Sequence, residues 1–132
     1  MSLFKDKKVL VTGGTGMIGR ELVGLLLEKE AKVKVVSLDE PIDFFDDVEF
    51  EKLDLTIYEN CYHVCKNMDY VFHVAGVKGS TKMSVTQPLD YFLPMIRFNT
   101  NMMEAAFRQN VEWYLYTSCL LYTSPSPRDE KV

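Results

Sequence analysis

Between Val9 and Gly19 the chain reads Val-Leu-Val-Thr-Gly-Gly-Thr-Gly-Met-Ile-Gly, with glycines spaced as Gly13-x-x-Gly16-x-x-Gly19. An apolar run precedes this turn. After it, Met17 to Glu28 places Ile18, Leu22, Leu25 and Leu26 at helical spacing. A glycine turn between a strand and a helix is suited to holding phosphate. Gly13 lets the chain turn sharply out of the strand, and Gly16, with no side chain, lets the backbone come close to a pyrophosphate. Gly19 lets the helix pack tightly on the sheet. Thr15 lies just before the helix, and Met17 and Ile18 open it, where free N–H groups and the positive end of the helix dipole favour an anion. Glycines serving only a tight turn would not need the amphipathic helix that follows. The flanking elements favour a dinucleotide site.

A second group of chemically able residues is Cys61, His63 and Cys65. On a helix the two thiols share a face and His63 points away from it, so a metal site is not expected. Two thiols in a reducing cytosol are the expected reading, and the chain is expected to be cytoplasmic.

These groups need elements to position them. Lys8 to Val11 reads as a first strand, Lys32 to Ser37 as a second, Val48 to Leu53 as a third, Tyr70 to His73 as a fourth and Val111 to Thr117 as a fifth. Helices are predicted over 17–28, over Thr56 to Asn67 and over Asn99 to Gln109, with Pro94 in the first turn of the last or at a kink. Pro41 to Asp47 and Lys78 to Pro88 read as loops. Strands separated by helical crossovers imply an α/β fold: a Rossmann-type doubly wound parallel sheet with helices on both faces.

Composition agrees with one globular domain. The chain has 132 residues, 47% hydrophobic and 26% charged, with a net charge of -4. It carries no block of Lys and Arg to neutralise nucleic-acid phosphates. It has no apolar run near the roughly 20 residues that cross a bilayer, and no signal peptide is expected in its polar start.

Taken in order, four segments resemble the extended short-chain dehydrogenases/reductases, the class of NAD-dependent nucleotide-sugar epimerases and dehydratases. Thr12 to Gly19 resembles the family's cofactor fingerprint. Asp54-Leu55 resembles the Asp-aliphatic pair after the third strand, where a carboxylate and a backbone N–H address the adenine edge. Val71-Phe72-His73-Val74-Ala75-Gly76 resembles the exit of the fourth strand, so that Val74, Ala75 and Gly76 are implied to line the nicotinamide-side ribose. Leu115-Tyr116-Thr117-Ser118 resembles the fifth strand, and Thr117 is counted with the cofactor-binding positions. The resemblance implies a nucleotide-sugar substrate and a homodimer for the parent protein. Its chemistry would be hydride transfer between a sugar carbon and the nicotinamide, with a Tyr as acid or base. A non-catalytic dinucleotide-binding or redox-sensing module of the same fold is the alternative.

The chain departs from the family pattern in several places. The acidic residue at the end of the second strand, which takes the adenosine ribose hydroxyls, aligns with Ser37, and Asp39 lies two residues on. Asp39 in that role favours NAD; Ser37 there would admit NADP, although no Arg lies nearby to pair with a 2′-phosphate. The alternative for Asp39 is a loop carboxylate in an acidic stretch. Met95 falls where the family commonly has Asn, and Asn99 and Asn101 are expected at the helix start or on the surface.

The family's Tyr-x-x-x-Lys pair is missing after the fifth strand. Its one match, Tyr62 to Lys66, precedes the fourth strand and is read as coincidence. From Cys119 to Asp129 the chain reads Cys-Leu-Leu-Tyr-Thr-Ser-Pro-Ser-Pro-Arg-Asp, which resembles the translation of a transposon-end adapter used in sequencing libraries. Residues 1–118 are therefore expected to be an incomplete NAD(P)-binding domain, inactive by itself, and 119–132 a non-native tail. No catalytic residue is expected within this chain.

Overall fold

The computed structural model describes residues 3–39, 46–75 and 86–117. Its elements are β1 (Lys8–Thr12), α1 (Met17–Glu28), β2 (Lys32–Ser37), β3 (Glu49–Lys52), α2 (Tyr58–Val64), β4 (Tyr70–His73), α3 (Pro88–Arg108) and β5 (Trp113–Tyr116). The five strands form one parallel sheet in the order β3-β2-β1-β4-β5.

This order explains where the helices lie. From β1 the chain moves outward through β2 to β3, then returns past β1 to β4 and β5 on the other side. Right-handed crossovers running in opposite directions put their helices on opposite faces. Accordingly α1 packs Val23 and Leu26 on Val9, Val11, Val33 and Val35. On the other face α2 and α3 pack Cys61, Val64, Met102 and Ala105 against Leu10, Val36 and Val71. Burial from both sides is why β1 reads as an unbroken apolar run rather than an alternating one. Between the outgoing and returning strands, the ends of β1 and β4 form a crevice, the usual place for a ligand in an open α/β sheet.

Helix ends also have local causes. α1 and α3 both close with the Schellman pattern: Ala31 N–H donates to Leu26 O and Glu30 N–H to Leu27 O, and Val111 and Asn110 repeat the pair on Ala106 and Phe107. The left-handed residues are Glu30 (φ 63) and Asn110 (φ 59), so neither helix uses glycine there.

The structure differs from the sequence expectation at several boundaries. β3 and β5 are each four residues long, shorter than predicted, and α2 ends at Val64 with a turn after it. The largest difference is α3, a helix of 21 residues of which the predicted segment is only the second half. Pro88 occupies its first turn, where a missing N–H costs nothing, while Pro94 is interior. Pro94 removes one intrahelical bond from the Asp90 carbonyl, and Asp90 is exposed, so water can satisfy that oxygen.

At the sheet edge, Trp113 stacks on Tyr70 with ring centroids 4.8 Å apart. Trp113 and Leu115 are nevertheless 47% and 50% exposed.

Candidate dinucleotide site

The crevice is a cavity of about 400 Å³ at the carboxyl ends of the inner strands. Gly13, Thr15 and Gly16 form its floor from the first turn. Val36, Ser37, Leu38 and Asp39 come from the end of β2, and Leu53, Asp54, Leu55 and Thr56 from the end of β3. Val74 and Ala75 follow β4, and Pro94 and Phe98 reach in from α3.

The turn is shaped by closeness. Gly13 has φ +70, and a Cβ there would lie 2.6 Å from the Ala75 Cα. The exits of β1 and β4 therefore meet where no side chain fits. A Cβ at Gly19 would overlap the Gly13 carbonyl oxygen and the Gly14 Cα, so this glycine seats the helix on the turn itself rather than on the sheet. Gly14, which the sequence reading left without a role, is buried; a Cβ there would press on Val35 at 2.8 Å. Gly16 is different. It is exposed, its nearest neighbour for a Cβ is Gly13 O at 3.4 Å, and its bareness faces the cavity.

The other walls are held by short bonds. The Thr15 and Ser37 hydroxyls lie 3.0 Å apart, tying the glycine turn to β2. Asp39 is not on the strand, which ends at Ser37; its N–H donates to Ser37 Oγ at 3.1 Å, a tight turn that brings both residues to the cavity. Asp54 Oδ1 accepts the Thr56 N–H at 2.9 Å and the Thr56 hydroxyl at 2.7 Å, which leaves Oδ2 for a ligand. Leu55 O accepts from both Cys61 Sγ and Asn101 Nδ2, and Asn101 Nδ2 also donates to Thr56 O at 3.1 Å.

Eight of the expected cofactor positions thus come together in the lining: Gly13, Thr15, Gly16, Asp39, Asp54, Leu55, Val74 and Ala75. Met17 and Ile18 point their side chains to solvent, so only their backbone N–H groups face the site's function. Gly19 acts through packing. Thr117 N–H and Oγ1 both donate to His73 O, at 3.2 and 3.3 Å, outside the lining. Gly76, Ser118 and Cys119 lie outside the described residues.

Asn99 and Asn101, expected at a helix start or on the surface, are both mid-helix and half-buried, on opposite flanks of the packed face of α3. Asn101 braces the Leu55–Thr56 loop. Asn99 Oδ1 lies 2.7 Å from His73 Nε2. Met95 is buried in the core, so one turn further on Asn99 is the polar group α3 turns toward β4. His73 is fully buried, and desolvation lowers it to about 4, against the opposing effect of its hydrogen bond to Asn99 Oδ1. It is neutral at pH 7.

The cysteines serve the core. Cys61 and Cys65 are buried, and desolvation pushes both thiols up to about 12. His63 turns outward and meets Glu51 at 3.0 Å. Among the described residues no group of three His, Cys, Asp or Glu side chains is arranged to hold a metal ion. Tyr62 of the Tyr-x-x-x-Lys match lines a separate surface groove with Tyr58, Glu59, Glu104 and Arg108.

The parallel sheet, the switch point and the glycine turn define a Rossmann-type domain. The chain belongs to the NAD-dependent epimerase/dehydratase family, whose model matches residues 9–132. It is 28% identical over 125 residues to an uncharacterized membrane protein of Methanocaldococcus jannaschii, covering 89% of this chain and 37% of that one. It is 29% identical over 117 residues to the UDP-glucose 4-epimerase of Rickettsia bellii, covering 78% of this chain and 32% of the epimerase. Among solved structures, the UDP-N-acetylglucosamine 4-epimerase of Methanobrevibacter ruminantium, in complex with UDP-N-acetylmuramic acid, superposes with a TM-score of 0.79 at 28% identity. That match covers 94% of this chain and 41% of the epimerase. The chain thus spans about two fifths or less of the length of these relatives. Among the described residues no helix is long and apolar enough to cross a membrane.

Proposed function

We propose that this chain is the cofactor-binding portion of a nucleotide-sugar epimerase, dehydratase or reductase, and that its crevice takes NAD. The observation that carries this reading is the bare floor at Gly13 and Gly16, set under the N-terminus of α1 at the sheet's switch point. A floor without side chains fits a pyrophosphate, and the helix end offers it N–H groups and a positive dipole. Asp54 Oδ2 and the backbone at Leu55 suit the adenine edge. Val74 and Ala75 suit the second ribose.

NAD is favoured over NADP by charge. Among the described residues the lining holds two carboxylates, Asp39 and Asp54, and no Lys or Arg. A 2′-phosphate beside Asp39 and Asp54 would meet like charge in this lining. When bound, the nicotinamide supplies a hydride acceptor or donor; the residues of this chain bind it, orient it and keep water from its adenosine half. The acid–base pair for the sugar, the nucleotide-sugar pocket and the homodimer partner belong, on this reading, to a larger parent protein. The cytoplasm, where thiols stay reduced, suits the buried cysteines.

Fluorescence titration of the chain with NADH and NADPH tests the reading. NADH is expected to bind more tightly. Equal or tighter NADPH binding would overturn the preference, and no binding of either would overturn the site.

A further inference from the structure

The buried end of β4 carries a line of polar groups that the reading above does not use. Ala75 N–H donates to Thr12 Oγ1 at 3.2 Å. Thr12 Oγ1 lies 2.6 Å from His73 Nδ1, and His73 Nε2 lies 2.7 Å from Asn99 Oδ1. Asn99 Nδ2 then donates to the Tyr116 hydroxyl at 3.0 Å. The line joins β1, β4, α3 and β5, and it starts at Ala75, the residue whose Cα closes on Gly13.

Chemistry gives the line a direction. A backbone N–H only donates, so the Thr12 oxygen accepts from Ala75 and has one proton left to give. A neutral imidazole has one N–H. If Nδ1 carried it, Thr12 Oγ1 would accept twice, and its own buried proton would need an acceptor that its contacts among the described residues do not supply. If Nε2 carries it, every group is satisfied: Thr12 donates to Nδ1, Nε2–H donates to Asn99 Oδ1, and Asn99 donates to Tyr116. Thr12 and His73 are both fully buried, so an unsatisfied member there is costly.

We propose that Asn99 is a positioning residue for the cofactor crevice: its amide oxygen holds His73 as the Nε2–H tautomer, and the directed line keeps the Thr12 oxygen open to Ala75 N–H, fixing the exit of β4 against Gly13. Phe98 meets the edge of the His73 ring, and the Tyr114 and Tyr116 rings stack beside it at 6.4 and 5.9 Å, so neighbours on α3 and β5 hold its plane. The effect on ligand binding rests on the dinucleotide reading; the tautomer does not.

The test is nitrogen NMR of the imidazoles in the full chain, whose two histidines are His63 and His73, together with NADH binding to the Asn99→Leu and Asn99→Asp variants. In the unaltered chain, His73 is expected to carry its proton on Nε2. Asn99→Leu, with far-UV dichroism unchanged, is expected to lose that tautomer preference and weaken NADH binding about tenfold. Asn99→Asp keeps an acceptor oxygen in place, so it is expected to retain binding within about threefold while its carboxylate raises the titration of His73. A His73 protonated on Nδ1, or NADH binding to Asn99→Leu like that of the unaltered chain, overturns the proposal. If Asn99→Leu does not fold, Asn99→Asp decides: an unmoved His73 titration overturns it. If the unaltered chain binds neither NADH nor NADPH, the dinucleotide reading fails and the crevice role of Asn99 with it, while the tautomer still shows whether the line runs as described.

Discussion

Gly13 and Ala75 approach so closely that a Cβ on the first would lie 2.6 Å from the Cα of the second. The nucleotide crevice opens beside this contact, so stability and binding meet at one point and separate a few residues away. Gly13→Ala is expected to cost about 2–4 kcal/mol, from left-handed backbone strain and overlap with Ala75. Urea unfolding measures it. Gly16→Ala has room in the fold and is expected to change stability by less than about 1 kcal/mol. It should nevertheless weaken NADH binding at least about tenfold, because the new methyl faces the pyrophosphate. Equal loss of binding and stability in Gly16→Ala would contradict this separation.

Acid stability should report His73. Its folded value, about 4, lies below the 6.5 of an unperturbed imidazole because it is fully buried. The unfolded chain therefore binds a proton that the folded chain refuses, and stability falls as pH drops from about 6.5 toward 4. The full loss is about 3 kcal/mol. Glu51, lowered chiefly by its hydrogen bond with Lys34, acts in a more acidic window, below the ordinary carboxylate value of 4.5. Denaturant unfolding at a series of pH values checks the slope; a flat profile between pH 6.5 and 5 would contradict it.

Thiol reactivity gives a third test. With Cys61 and Cys65 buried and pushed up to about 12, neither is expected to react with iodoacetamide at pH 8 in the folded chain, and both should react in urea. Peptide mapping by mass spectrometry distinguishes them from Cys119. Rapid labelling of either without denaturant would contradict the packing of α2 on α3.

Glu30 offers a stabilising change. It closes α1 at φ 63, a conformation that glycine adopts without strain. Among the described residues its ion pair is with Lys5 at 4.0 Å and is exposed, so little is lost with it. Glu30→Gly is expected to raise stability by about 1 kcal/mol by chemical denaturation.

Much of this fold was readable along the chain because its signals are contiguous. The glycine turn, its flanking strand and helix and the short valine-rich strands each fit within a dozen residues, and all five strands fall near their predicted places. α3 was legible only in its second half. Its first half carries Pro94 and exposes Leu89, Leu93 and Ile96, so neither proline rules nor apolar periodicity marks it as helix. The roles of Asn99 and Asn101 were hidden for another reason: their partners His73, Leu55 and Thr56 stand 26 to 46 residues away. Asp39 stands two residues beyond the position that aligns with the family's acidic residue, and it lines the crevice through a turn on Ser37. Residues 119–132, read as adapter-derived, lie outside the described residues although the family match runs through them. Sequencing the source DNA across the Ser118 codon decides that reading.

The most direct measurement of the central claim is amide NMR of the labelled chain during titration with NADH. The account predicts saturable shifts at Thr15, Gly16, Asp54, Leu55, Thr56 and Ala75, around one crevice at the β1–β4 switch point. Shifts confined to the groove of Tyr58, Tyr62 and Arg108, or none at all, would contradict it.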